Sequence, residues 1–274
     1  MKYFNILILI FLINGNLFSQ SWQREETTEA PLQLFSSVES LTIPTTETMS
    51  SGDIYFHISH KFIVPVSEGI NELFGFDGSV NMRLALGYAP MDKLFIQFGR
   101  TNYEGNYDLQ LKYRFLENNN ESLPFALAIN AGAAYSSKKV NEPTDKSRLW
   151  QFYGNLIANG FIGKSLGIGV VPSFLYNANC QCIDPQSSFT LGLYTQYHFD
   201  ERWSVIAEAN PTLNGWRNYY DSYALGVEIE TAGHFFKLQL SNNIFINQTQ
   251  FLGGAASSFE SGDLHIGFVI QRVL

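Results

Sequence analysis

Between Asp53 and Leu274 apolar and polar side chains alternate with a period of two in about a dozen segments. Successive side chains of a strand point to opposite faces, so this repeat calls for a sheet with one apolar and one polar face. In the first segment Ile54, Phe56, Ile58 and Phe62 stand against Tyr55, His57, Ser59 and Lys61, with His60 an exception on the apolar face. Val80, Met82, Leu84, Leu86 and Tyr88 then oppose Asn81, Arg83, Ala85 and Gly87, and Leu94, Ile96 and Phe98 oppose Phe95, Gln97 and Gly99. The most regular stretch sets Tyr107, Leu109, Leu111, Tyr113 and Phe115 against Asp108, Gln110, Lys112 and Arg114. Further strands are expected near 123–135, 149–162, 166–177, 189–199, 203–212, 222–230, 235–246 and 263–274. Pro172 falls inside one of them and cannot donate to a ladder, so a bulge or bend is expected there.

A soluble sandwich would turn the apolar face inward and leave the Lys, Arg and Glu face in water. A barrel in lipid does the reverse, and the connections favour it, because such barrels alternate short periplasmic turns with longer outer loops. Short turns fall at 89–92, 163–165, 200–202 and 231–234, with a longer one at 116–122. Long loops fall at 63–78, 136–148, 177–188, 213–221 and 247–262, and 102–106 is the one short outer connection. Tyr88, Tyr113, Phe115, Tyr197, Phe199 and Trp203 adjoin short turns, while Tyr103, Tyr107, Tyr135, Trp150, Phe152, Tyr176 and Tyr223 adjoin long loops. Two aromatic girdles are therefore expected. Leu264, Ile266, Phe268 and Ile270 alternate up to Leu274, like the last-strand signal read by barrel-assembly machinery. The expected fold is all-β, an antiparallel transmembrane β-barrel of about twelve strands in the outer membrane of a Gram-negative envelope. Outer-membrane lipid and the assembly machinery are then its expected partners.

Residues 1–19 carry Lys2, the apolar run Ile6 to Ile13, Gly15 and a cleavage point after Ser19, the pattern of a secretory signal peptide. That run is too short to span a bilayer, so any crossing must be made by strands. Residues 20–52, rich in Ser, Thr and Glu, form either a periplasmic extension or an inserted plug, and residues 53–274 form the barrel. The net charge of -8, with no Lys/Arg stripe, excludes a nucleic-acid partner.

Alternation makes a lumen lining of His57, Lys61, Arg83, Asp108, Lys112, Arg114, Glu208, Glu228, Lys237 and His265. A regular hairpin at 231–234 would set Glu228 opposite Lys237. These charges either neutralise one another in a small watery interior or form a basic strip on the first four strands, facing Glu208 and Glu228 and attractive to small anions. His57-Ile58-Ser59 has the His-x-Ser spacing of a barrel phospholipase, but both side chains are expected to face inward, with no orienting group at hand, so no enzyme activity is expected. Cys180 and Cys182 suit a small disulfide ring, with free thiols and metal capture as alternatives. Too few ligands surround them for a metal site, and no cofactor is expected. Two loop stretches, Asn71 to Phe76 with a short helix and Phe251-Leu252-Gly253-Gly254-Ala255-Ala256, are read as mobile surface loops, with folding inward as the alternative.

Two stretches carry a family resemblance. The first runs through Phe56-His57-Ile58-Ser59-His60-Lys61-Phe62, Glu72-Leu73-Phe74-Gly75-Phe76-Asp77, Gly99-Arg100-Thr101-Asn102-Tyr103, Tyr107-Asp108 and Leu111-Lys112-Tyr113. The second runs from Gly226-Val227-Glu228-Ile229-Glu230-Thr231-Ala232-Gly233-His234 to Gly262-Asp263-Leu264-His265-Ile266-Gly267-Phe268 and Arg272-Val273. As a set they resemble an uncharacterised β-barrel family of Bacteroidetes outer membranes, a domain of unknown function. The resemblance implies an outer-membrane barrel and lends no site residues; it is weakest over residues 136–200. The functional expectation is a porin-like, narrow channel for small solutes. The alternatives are a structural or partner-binding barrel with a closed lumen and, less favoured, a phospholipase-like hydrolase.

Overall fold

The computed structural model describes residues 32–120, 123–137, 146–163, 165–182, 184–231 and 233–274. The expected signal peptide at 1–19, the stretch 20–31 and loop residues 138–145 lie outside the described residues. The strands are β1 (Ile54–Phe62), β2 (Val80–Met91), β3 (Leu94–Thr101), β4 (Asn106–Asn118), β5 (Phe125–Ser136), β6 (Trp150–Ile162) and β7 (Leu166–Tyr176). They continue as β8 (Ser187–His198), β9 (Trp203–Asn210), β10 (Thr212–Gly215), β11 (Ser222–Thr231), β12 (His234–Ser241) and β13 (His265–Val273). Pro211 divides β9 from β10, and both pair with β8, so the two are halves of one barrel strand. Each strand pairs antiparallel with its neighbour, and β13 returns to β1 in the register Tyr55↔Val273 to Lys61↔Gly267. The result is a closed, antiparallel, twelve-strand β-barrel.

Closure leaves no free edge, which is what backbone N–H and C=O groups require in lipid. Burial follows the alternation along almost every strand: β1 reads out and in from Ile54 to Phe62, and Leu84, Leu86, Leu109, Leu111, Leu225 and Leu238 are exposed on the outer surface. His60 keeps its outward position by packing its ring 4.6 Å from Phe268.

Three local departures have physical causes. The register of β6 with β7 is the same on both sides of Pro172, from Asn155↔Ser173 to Ala158↔Val170, so the expected bulge does not form; only the pairs between them are missing. The missing N–H of proline removes ladder bonds without adding a residue. A bulge falls instead in the most regular strand, where the β4–β5 register shifts between Arg114 and Leu116, and both Phe115 and Leu116 face outward. The expected strand 235–246 ends at Ser241, because residues 242–258 leave the wall and turn into the lumen.

Short and long connections alternate as expected, and the first and last strands close the sheet at the short-turn rim, where Ile54 and Leu274 exchange backbone hydrogen bonds. Tyr135, Trp150, Phe152 and Tyr176 make one continuous aromatic row, with neighbouring ring centroids 5.2 to 6.4 Å apart, and Tyr88, Tyr113, Tyr197, Phe199 and Trp203 are exposed near the other rim. Tyr103 does not join a girdle; its ring packs 4.9 Å from Phe245 of the in-turned loop. The stretch around Asn71 to Phe76 belongs to 3-10 turns at Val66–Gly75, with Ile70, Leu73, Phe74 and Phe76 exposed.

Candidate functional site

A barrel of twelve strands is too wide for its own inward side chains to fill. Among the described residues two further pieces of chain fill it: residues 34–47, ahead of β1, and residues 242–258, between β12 and β13, are buried almost throughout. The first is a tight loop. Thr45 N donates to Val38 O at 3.1 Å, Ser40 N donates to Ile43 O at 2.8 Å, and Glu39 bridges to Pro44. This fold gives the segment a rim of outward-pointing carbonyls and a tip of three free N–H groups.

Both sets are met by charges from the wall. Glu208, on β9, accepts from Leu41 N at 2.6 Å, Thr42 N at 3.0 Å and Ile43 N at 3.1 Å. Successive N–H groups converging on one carboxylate form an anion nest. Lys112, on β4, donates to Val38 O, Thr45 O and Glu47 O. Lys237, on β12, donates to Ser37 Oγ, Glu39 O and Ser40 O, and its ammonium lies 3.1 Å from Glu228, its register partner on β11. Arg114 donates to Leu32 O at 2.8 Å and stands 3.6 Å from Glu47. Charge-assisted bonds of this kind are about twice as strong as neutral ones. Neutral groups add to the grip: Asn159 Oδ1 accepts from Thr46 N at 2.7 Å, and Tyr194 OH donates to Pro44 O at 3.2 Å. The Tyr194 ring fits only because Gly169 faces it; a Cβ there would lie 2.1 Å from the ring.

The loop from β12 to β13 is held differently. Asn243 Nδ2 donates to Ser222 Oγ at 2.7 Å, Asn247 Nδ2 to Asn106 Oδ1 at 2.6 Å, and Gln250 Nε2 to Tyr103 O at 3.1 Å. One helical turn, Gln248–Phe251, is capped by Asn247, whose side chain accepts from Gln250 N. Two groups join this loop to the N-terminal segment. Gln248 Nε2 donates to Thr42 O at 2.8 Å, and Lys61 reaches Thr42 Oγ1 at 3.3 Å together with Asn243 O and Phe245 O at 3.1 Å each. The stretch Phe251 to Ala256, read from sequence as a surface loop, therefore runs inward: Phe251 and Leu252 sit in an apolar cluster with Leu175 and Ala178.

Each lumen-lining residue named from the sequence has a definite place. Lys61, Lys112, Arg114, Glu208 and Lys237 contact the in-turned segments, and Glu228 backs Lys237. Arg83 is instead committed to the wall, 2.5 Å from Asp108 and donating to Gln97 at 3.2 Å. His57 lies 3.1 Å from Glu39, while Ser59 faces inward beside it on β1. His265 is apart from them, 2.8 Å from Ser257 under the outer loop. Cys180 and Cys182 are both free thiols, a correction to the expected ring: one intervening residue makes the closure strained, and Asn177 Nδ2 points at Cys180 Sγ while Arg148 takes Cys182 O.

A list built on charge missed Glu39 and Glu47 of the segment and the amides Asn159, Gln248 and Gln271. The inward phase of β6 and β13 does point to Asn159 and Gln271. At the short-turn rim an open cavity of about 480 Å3 is lined by Phe35, Phe161, His198 and Glu230 among others.

The profile of a membrane bound beta barrel domain, DUF5777, matches residues 35–274, so the N-terminal segment and the barrel belong to one family unit. No curated protein matches the chain in sequence. Similar solved structures include the NanC porin, at 8% identity and TM-score 0.49, covering 81% of this chain and 98% of that one. An outer membrane channel from Pseudomonas putida F1 has 14% identity and TM-score 0.47, covering 84% of this chain and 98% of that one. OmpT, an outer membrane protein of Vibrio cholerae, has 10% identity and TM-score 0.37, covering 82% and 99%.

Proposed function

We propose, from the premise that this chain belongs to the membrane bound beta barrel domain family DUF5777, that it is a gated outer-membrane channel for small solutes, closed at rest by residues 34–47. The observation that carries this reading is the division of charge between wall and segment. Lys61, Arg83, Lys112, Arg114 and Lys237 are buried on the wall, where the buried carboxylates are Asp108, Glu208 and Glu228. The cationic excess is met by Glu39 and Glu47 of the segment and, beside Arg114 at 3.4 Å, by the half-buried Glu117 of the wall. A polar, charged joint of this kind can be re-wetted, since each hydrogen bond broken on withdrawal is replaced by one to water. Withdrawal would leave a lumen with a cationic excess, which favours anions.

Planar-bilayer recordings test the proposal. The full-length chain is expected to rest closed with brief openings. A full-length variant with residues 38–45 replaced by Gly and Ser is expected to conduct continuously and to prefer anions. Silence from that variant, correctly folded by heat-modifiable gel migration, sinks the channel reading. It would favour the other reading, a barrel with a closed lumen that docks a partner, which draws on the hydrogen-bonded loop 242–258.

A further inference from the structure

The lumen around the N-terminal segment has two unlike sides, and the segment mirrors both. On one side the Glu39 carboxylate accepts from Gln271 Nε2 at 2.7 Å and lies 3.1 Å from His57 Nδ1, while Lys237 holds the Glu39 carbonyl. The same region of wall carries more hydrogen-bonding capacity than Glu39 uses. Among the described residues, Tyr55 OH, His57 Nε2, Ser59 Oγ and Gln97 Nε2 are buried without a hydrogen-bond partner. They lie close together by register: Tyr55 and Gln97 flank Gly87, and His57 is level with Gln271. Buried polar groups left unpaired in a native fold call for an explanation.

On the other side the wall is apolar. Ile157, Val171 and Leu175 face inward from β6 and β7, and Phe35 and Ile43 of the segment pack in one cluster with them and with Tyr194. Glu39 and Ile43 thus present a carboxylate to one wall and a branched hydrocarbon to the opposite one from a single tight loop.

We propose that this part of the lumen is a binding site for organic carboxylates that carry an apolar body, and that the N-terminal segment occupies it as an internal competitor. The inference rests on the gated-channel reading and adds the class of solute. A carboxylate of this class takes the Gln271, His57 and Lys237 positions vacated by Glu39 and can recruit the unpaired donors, while its hydrocarbon part meets the β6–β7 wall. Because only the withdrawn state binds it, the solute shifts the population toward opening.

The test uses the full-length chain carrying Cys180→Ser, Cys182→Ser and Ser40→Cys. Ser40 is 1% exposed and the change replaces a single oxygen by sulfur, so the substitution reports withdrawal of the segment with little cost to the closed state. Maleimide labelling is followed in millimolar hexanoate, hexanamide or acetate at equal ionic strength. The expected result is an acceleration of about fivefold by hexanoate, a smaller one by acetate and none by hexanamide, in line with differential binding to one of two states. Any other ranking overturns the carboxylate site and leaves the gate intact. Failure of the site to label in any of the three overturns the gate and the site together. Gln271→Leu, which removes the amide that Glu39 uses and leaves every charge in place, is expected to shrink the hexanoate effect to that of acetate. An undiminished effect in that variant, with heat-modifiable migration retained, also overturns the proposed site.

Discussion

The two pieces of chain inside the barrel occupy the same lumen but are gripped by different chemistry. Residues 34–47 are held by ammonium and carboxylate groups of the wall, with Lys112, Lys237 and Glu208 each making three bonds to its main chain and to Ser37. Residues 242–258 are held mostly by neutral amides and hydroxyls, with Lys61 the one ammonium among the described residues that reaches them. The loop is fastened to strands at both ends, β12 and β13. A charged grip is strong when closed and sensitive to competing ions when open. A neutral grip on a loop held between two strands is a lining. On the gated reading, the piece that moves is the one with the stronger individual bonds, because those are the bonds an ionic solute can replace.

The sharpest way to break this comparison is at Glu208. Glu208→Ala leaves the N–H groups of Leu41, Thr42 and Ile43 buried without an acceptor. The closed state should lose about 3–5 kcal/mol, the range for removing one partner of a buried, charge-assisted cluster. Labelling of Ser40→Cys should then rise roughly 100- to 4,000-fold, each 1.4 kcal/mol being about a factor of ten. Labelling of Thr249→Cys, placed in the loop at a buried hydroxyl without a partner among the described residues, should stay unchanged. If both sites open together, the two pieces act as one body and the comparison fails.

Lys112→Met comes next. It removes the ammonium that collects Val38 O, Thr45 O and Glu47 O but keeps most of the side-chain volume against Phe95. Carbonyls with a spare lone pair tolerate the loss better than N–H groups do. We expect about 2–3 kcal/mol and a roughly 30- to 150-fold rise in Ser40→Cys labelling, smaller than for Glu208→Ala. A larger effect than that of Glu208→Ala would place the main anchor on the wrong side of the segment.

The difference between the two regions also marks what the sequence allowed one to read. The wall was legible because strand geometry turns a period of two into a map of faces, which placed Lys61, Lys112, Glu208 and Lys237 inward before any coordinates. The register Glu228↔Lys237 followed from the turn alone. The contents of the lumen were not legible in the same way. Residues 34–47 and 242–258 adopt irregular backbone, so no period marks them, and their burial depends on contacts as far apart in sequence as Lys237 and Ser40. A clue did exist in the charges: a wall with more cations than carboxylates in a closed space needs anions from elsewhere, and Glu39 and Glu47 flank a stretch otherwise made of small hydroxyls and aliphatics. The Phe115 bulge and the uninterrupted register at Pro172 were invisible for the opposite reason, since both are decided by the neighbouring strands.

A smaller effect is expected in the loop. Asn243 donates to Ser222 Oγ and Phe251 O and accepts from Phe245 N, all neutral bonds. Asn243→Ala should cost about 1–2 kcal/mol and raise Thr249→Cys labelling roughly 5- to 30-fold. Raising NaCl from low to molar concentration should leave that labelling flat while speeding Ser40→Cys, because only the withdrawn segment uncovers cations for chloride to occupy. An equal salt response at both positions would mean that the grips do not differ in kind.

The smallest effect is at Cys180, and it tests whether the loop lining is continuous with the outer surface. Ala178 and Leu175 pack with Phe251 and Leu252, so the β7–β8 connection leans on the in-turned loop two residues before the thiol. Burial, with Glu104 adding to it, pushes the Cys180 thiol up to about 11. Since the thiolate is the reactive species, a raised value leaves the thiol neutral at pH 7.4, and its labelling should climb with pH until about that value. Loosening the loop with Asn243→Ala re-solvates this thiol and lowers the burial contribution, so labelling at pH 7.4 should increase by about two- to threefold. Glu208→Ala, which frees the segment and not the loop, should leave the Cys180 rate where it was. The comparison therefore predicts a double dissociation: a wall carboxylate that moves Ser40→Cys alone, and a loop amide that moves Thr249→Cys and Cys180 alone.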